Sequence, residues 1–128
     1  PRTRKNLHEF GLLERIEQCD ALILLNPLGY NAMLRLNMGA TIMLTDSGGL
    51  QEECTVLGTP CITLRWNTER PVTLEEHGGT CHLAGNDIQL ISRIYHAYKQ
   101  KSRVPVLPAL WDGKTAERCL KEILTFDN

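Results

Sequence analysis

Two hydrophobic periods alternate along this chain, and their alternation constrains the fold before any motif is considered. Thr41-Ile-Met-Leu-Thr45 is an apolar run too short for a stable helix, closed by Asp46-Ser-Gly-Gly49. Leu50, Cys54 and Leu57 then recur at helical spacing, with Gly58 placed to cap that helix and Pro60 beyond it. Cys61-Ile-Thr-Leu64 repeats the short run, and Thr80–Ala84 gives a weaker one. Ala21–Leu25, closed by Asn26-Pro-Leu-Gly29, reads as a further strand covered on both faces.

Between and around these runs the pattern is helical. Thr3 is placed to cap a helix whose Leu7, Phe10, Leu13 and Ile16 form one stripe, and Asn31 to Met38 is helical up to Gly39. Asn86 or Asp87 can cap Ile88–Tyr98, and Thr115–Leu124 carries a dense apolar face of Ala116, Cys119, Leu120, Ile123 and Leu124. The polar stretch from Arg65 to Gly79 holds at most one helical turn, near Leu74–Glu76. Strand and helix alternating at this spacing predict an α/β fold, Rossmann-like, with helices on both faces of a parallel sheet. Ligands of such sheets sit at the carboxyl ends of the strands. The loops Asn26–Tyr30, Asp46–Leu50 and Arg65–Arg70 should therefore gather at one edge.

The length of 128 residues fits one domain with an ordinary core. Lys and Arg number 14 against 15 Asp and Glu, and aromatics are 5%, so no nucleic-acid partner is expected. No apolar run approaches bilayer length and no signal-peptide pattern opens the chain, so no membrane partner is expected either, and a soluble, cytoplasmic protein is anticipated. The five cysteines form no C-x-x-C pair and lie among apolar neighbours, which reads as small buried hydrophobes. His8, His77, His82 and His96 complete no zinc set, so no metal is expected.

The most informative stretch is Thr45-Asp-Ser-Gly-Gly-Leu-Gln-Glu-Glu53. A strand delivers the chain to two glycines, and a helix starts at once. Free N–H groups and the helix dipole favour an anion there, so Ser47, Gly48 and Gly49 read either as a phosphate cradle or as a plain capped turn. No Lys follows as in a Walker A loop, and the spacing is not that of a nucleophile elbow. Glu53, one turn further on, reads either as a solvated carboxylate or as the acceptor for a ribose diol. Arg70 can fork onto phosphate oxygens or pair with a neighbouring carboxylate, and the same holds for Arg65. Trp66 reads as packing in preference to a lid. In Asn26–Tyr30, main-chain groups could meet a flat heterocycle with Tyr30 or Met33 against its face, or the segment could be an ordinary turn.

Taken in order, Pro1-Arg-Thr-Arg4, Asn26-Pro-Leu-Gly-Tyr30, Thr45–Glu53, Gly58-Thr-Pro60, Asn67-Thr-Glu-Arg-Pro71, Leu83-Ala-Gly-Asn86 and Leu110–Arg118 form a more specific signature than any loop alone. The chain resembles the C-terminal portion of the non-hydrolysing UDP-N-acetylglucosamine 2-epimerases. The resemblance implies the C-terminal half of a GT-B-type fold, with residues 1–128 forming part of a UDP-binding domain. It assigns the diphosphate to Ser47, Gly48 and Gly49, the ribose to Glu53, and the departing phosphates to Arg70. It gives the uracil to the segment around Leu28 and Met33.

It further implies that UDP-N-acetylglucosamine and UDP are the ligands and that no cofactor is needed. The family reaction eliminates UDP to a 2-acetamidoglucal and re-adds it, giving UDP-N-acetylmannosamine. Candidate catalytic carboxylates, on an N-terminal domain, and an important histidine are expected outside these residues, as are the first strand–helix units of the nucleotide domain. No catalytic residue is therefore assigned here, and residues 1–128 alone should not epimerise. An open sheet edge should be covered by a homodimer partner, a preceding segment or another chain. A stand-alone UDP-sugar-binding module, a glycosyltransferase half and a hydrolysing epimerase are the competing readings.

Overall fold

The structure, a computed structural model, describes residues 2–126. They fall into two compact units, the first ending at Arg35 and the second beginning at Leu36.

In the first unit the anticipated single helix is broken into α1 (Arg2–Glu9) and α2 (Leu13–Glu17). Gly11 between them adopts φ 63°, a left-handed conformation that ends α1 as a C-terminal glycine does. Thr3 lies inside α1 and does not cap it. The expected strand at Ala21–Leu25 is absent: these residues are irregular, and Ile23 is 82% exposed. A strand exists only where a neighbour accepts its ladder, and among the described residues none pairs with this run. α3 (Tyr30–Gly39), which begins in this unit and ends in the second, follows where a helix was expected.

The second unit holds a parallel sheet of β1 (Met43–Thr45), β2 (Cys61–Thr63) and β3 (Cys81–Leu83), in that spatial order. Met43, Cys61 and Cys81 are in register, as are Leu44, Ile62 and His82. Successive side chains of a strand point to opposite faces, so Cys81 and His82 report on different layers. Cys81 Sγ lies 3.9 Å from Thr55 of α4 (Gly48–Leu57), whereas the His82 ring stacks 4.4 Å from Tyr98 of α5 (Ile88–Tyr98). Helices therefore cover both faces, giving three layers.

The core is built of Cys54, Cys61, Leu74 and Cys81, with Met43 and Leu83 against it. Buried Asn37, Thr55, Thr59 and Thr73 surround it, and their polar atoms are matched. Thr55 Oγ1 donates to Gln51 O at 3.0 Å, Thr59 Oγ1 to Asn37 O at 3.3 Å and Thr73 Oγ1 to Arg70 O at 2.7 Å. Cys61 behaves as a hydrophobe. Hydrogen bonding with Cys54 and Cys81, together with burial, pushes its thiol strongly up. Cys119, by contrast, is exposed, against the expectation that all five cysteines are buried.

Gly58 caps α4 at φ 72°, and a Cβ there would collide with the backbone of Val104 and Pro105, which crosses directly over it. Val106 N donates to Thr55 O at 3.0 Å, fixing that crossing. Two 3₁₀ turns, Pro71–Thr73 and Glu75–His77, stand where one helical turn was expected. α6 (Thr115–Thr125) forms as anticipated, but its Leu120, Ile123 and Leu124 are exposed. No helix among the described residues is long and apolar enough to cross a membrane.

Candidate nucleotide site at the start of α4

β1 ends at Thr45, and α4 begins three residues later, at Gly48. Ser47 is its N-cap, with extended backbone and a side chain that accepts from Leu50 N at 3.5 Å. The hydroxyl thus performs the capping role, and Ser47 N is tied back to Thr45 Oγ1 at 3.1 Å. Gly48 and Gly49 are the first residues of the helix, so their N–H groups have no intrahelical acceptor. Two unclaimed donors at the positive end of a ten-residue helix make an anion-attracting point.

The loop after β2 closes on the same point. Arg70 Nε donates to Glu52 Oε1 at 2.6 Å, and Arg65 Nη1 pairs with Glu69 Oε2 at 2.9 Å. Glu69 Oε1 is 3.9 Å from Arg70 Nη1. A Cβ built on Gly48 would lie 3.1 Å from Glu69 Oε1 and 3.8 Å from Arg70 Cγ. The Asp46–Leu50 and Arg65–Arg70 loops therefore meet at the carboxyl edge of the sheet, as their position after parallel strands requires. Arg70 does pair with a carboxylate, the simpler alternative for it, yet it does so one turn above Gly48 and Gly49.

Glu53 is half-buried, and among the described residues no hydrogen bond or ion pair engages it. Leu28 is exposed ahead of α3 and Met33 is half-buried within it; both belong to the first unit. Trp66 packs over Gly85, leaving no room for a Cβ there, though its ring is largely exposed. Sequence reasoning gave no part to Gln51 or Thr68. Gln51 is fully buried, and Thr68 Oγ1 donates to its Oε1 at 2.8 Å. A glutamine inside a helix of otherwise buried small residues was the available signal.

A separate cleft of about 270 Å³ opens at the amino ends of the strands, lined by Pro60, Thr80, Glu75, His82, Tyr98 and Lys101. Burial pushes the His82 imidazole down, against the pull of Glu75. Tyr98 donates to Glu75 and helps hold its carboxyl below the usual range. Among the described residues no three His, Cys, Asp or Glu side chains converge as a metal set.

The family model described as UDP-N-acetylglucosamine 2-epimerase matches residues 1–124. The chain belongs to the UDP-N-acetylglucosamine 2-epimerase family. It is 40% identical over 126 residues to the UDP-N-acetylglucosamine 2-epimerase of Methanocaldococcus jannaschii, covering 98% of this chain and 33% of that protein. With the enzyme of the same name from Methanococcus maripaludis it shares 48% identity over 87 residues, 68% of this chain and 23% of that protein. The crystal structure of the Methanocaldococcus jannaschii UDP-GlcNAc 2-epimerase in complex with UDP-GlcNAc and UDP superposes with a TM-score of 0.84 at 40% identity, over 98% of this chain and 34% of that one. This epimerase-family chain thus has the GT-B-like α/β fold of its relatives and spans between 23% and 34% of the length of these proteins.

Proposed function

We propose that this chain is the UDP-binding part of a UDP-N-acetylglucosamine 2-epimerase. The diphosphate sits at the start of α4, on the N–H groups of Gly48 and Gly49 and the Ser47 hydroxyl. Glu53, one turn along, takes the ribose hydroxyls. The observation that carries the reading is the convergence of Arg70 on the turn of α4 that begins with two glycines. Family membership supports it, and a relative crystallised with UDP-GlcNAc and UDP gives the ligand class. The assignment of Leu28 and Met33 to uracil rests on sequence resemblance.

In the parent enzyme the reaction is inversion at the carbon bearing the acetamido group, interconverting UDP-N-acetylglucosamine and UDP-N-acetylmannosamine through elimination and re-addition of UDP. Expulsion of UDP places negative charge on the leaving phosphate. Amide donors at a helix start and a guanidinium beside them stabilise that charge without reorganising. Proton abstraction at carbon needs a positioned base, and no residue here is assigned that part. We place the protein in the cytoplasm, as a homodimer, and infer that residues 1–128 bind without turning over.

Calorimetric titration of UDP into the chain tests this, with Arg70→Ala and Glu53→Ala as controls. Each loses a hydrogen bond involving a charged group, worth about 1.5–3 kcal/mol, so each should weaken UDP by roughly tenfold or more. Equal affinity in all three proteins would refute the assignment, and formation of UDP-N-acetylmannosamine by the chain alone would refute its inactivity.

A further inference from the structure

Gln51 lies one turn into α4 with its side chain wholly buried. A buried primary amide must match its donors and its acceptor, since a lost partner costs about 1–3 kcal/mol. Its Nε2 donates to Ser47 O at 3.4 Å, and its Oε1 accepts from Thr68 Oγ1 at 2.8 Å. Thr68 Oγ1 in turn accepts from Arg70 N at 3.0 Å. Arg70 Nε then returns to the helix by donating to Glu52 Oε1 at 2.6 Å. These four bonds start at the Ser47 cap, cross from Gln51 to the loop after β2 and return to α4 at Glu52, the next residue along, which closes the circuit.

We propose that Gln51 and Thr68 are positioning residues of the nucleotide site. They set the distance between the Ser47 cap and the main chain of Arg70, so that amides and guanidinium are aligned before a diphosphate arrives. The proposal rests on the reading of the α4 start as the diphosphate seat. Neither residue needs to touch the ligand. Their effect is preorganisation: a loop already held in its binding geometry loses less freedom on association.

The chemistry required at each position is specific. At 51 the group must both donate and accept; a carboxylate would set an acceptor against Ser47 O and add negative charge beside the phosphates. At 68 a hydroxyl must accept from Arg70 N while donating to Gln51, which Ser can do and Val cannot.

The test compares Thr68→Val, Thr68→Ser and Gln51→Met in the full 128-residue chain. UDP and uridine are titrated into each, and the melting temperature is read alongside. Thr68→Val and Gln51→Met should each weaken UDP about tenfold, with uridine changed by less than about twofold. Thr68→Ser should restore UDP binding, and the Thr68→Val/Gln51→Met double variant should be no worse than either single, as members of one circuit are non-additive. Unchanged UDP affinity in folded Thr68→Val, or equal loss for UDP and uridine, would overturn the positioning role while leaving the seat intact. A wild-type chain that binds no UDP would remove the seat, and the proposal with it. Should Gln51→Met fail to fold, the Val and Ser variants at 68 decide the matter alone.

Discussion

The carboxylate of Glu69 lies 3.1 Å from the point where a side chain on Gly48 would begin. An internal anion thus stands at the start of α4, paired with Arg65 at 2.9 Å and near Arg70 at 3.9 Å. A hydrogen bond from its own backbone, with Arg65 and Arg70 beside it, holds this carboxyl below its ordinary value, so it is ionised at neutral pH. A diphosphate arriving at the Gly48 and Gly49 amides would meet this charge close by and compete with it for the two arginines. Glu69→Gln removes the competing charge and should tighten UDP severalfold while leaving uridine unaffected. Weaker UDP binding in that variant would show that Glu69 assists the ligand.

Gly48 supplies a second test. Alanine at the first position of a helix is not intrinsically unfavourable, and Gly48 has an ordinary negative φ. Gly48→Ala should therefore keep or slightly raise the melting temperature. The added methyl would stand where Glu69 now approaches and where phosphate oxygens would come. UDP affinity should fall by about tenfold or more. A calorimetric titration showing wild-type affinity would place the phosphates elsewhere.

Acid should weaken the fold through His82. Burial lowers its imidazole below the ordinary value of 6.5, so the unfolded chain takes up the proton first. The stability contributed by neutral His82 is complete above that value and is lost as pH falls toward the folded value. Glu75 acts in a lower window, because Tyr98 and its neighbours hold its carboxyl below 4.5. The urea midpoint should therefore decline between pH 7 and 5, and His82→Gln should flatten that segment of the profile. An unaltered slope would contradict the assignment.

Thiol chemistry reads the core directly. Cys119 is exposed and Cys19 is partly so, whereas Cys54, Cys61 and Cys81 are buried. A maleimide should label Cys119 first and Cys19 next. The three core thiols should react only once urea unfolds the second unit. Rapid labelling of Cys61 in the native chain would mean that the sheet is not packed as described.

Ala21–Leu25 and Cys61–Thr63 look alike in the sequence and differ in the fold. Both are short apolar runs closed by polar or turn residues, and periodicity treats them alike. Cys61–Thr63 forms a strand because β1 and β3 flank it; Ala21–Leu25 has no such neighbours among the described residues. Pairing is non-local, so no window of sequence reveals it. The meeting of the Asp46–Leu50 and Arg65–Arg70 loops was readable, because parallel strands deliver their exits to one edge. The partner of Arg70 was not: Glu52 and Glu53 are adjacent and chemically alike, and only helix phase sends Glu52 to the guanidinium. Gly11 likewise shows how one left-handed residue cuts a stripe that spacing alone treats as continuous.

Amide resonances of the ¹⁵N-labelled chain, followed during titration with UDP, report directly on where the diphosphate sits. Gly48 and Gly49 should shift the most, Ser47 and Arg70 should follow, and uridine alone should leave the two glycines in place. Binding of UDP that leaves the Gly48 and Gly49 amides unmoved would contradict that placement.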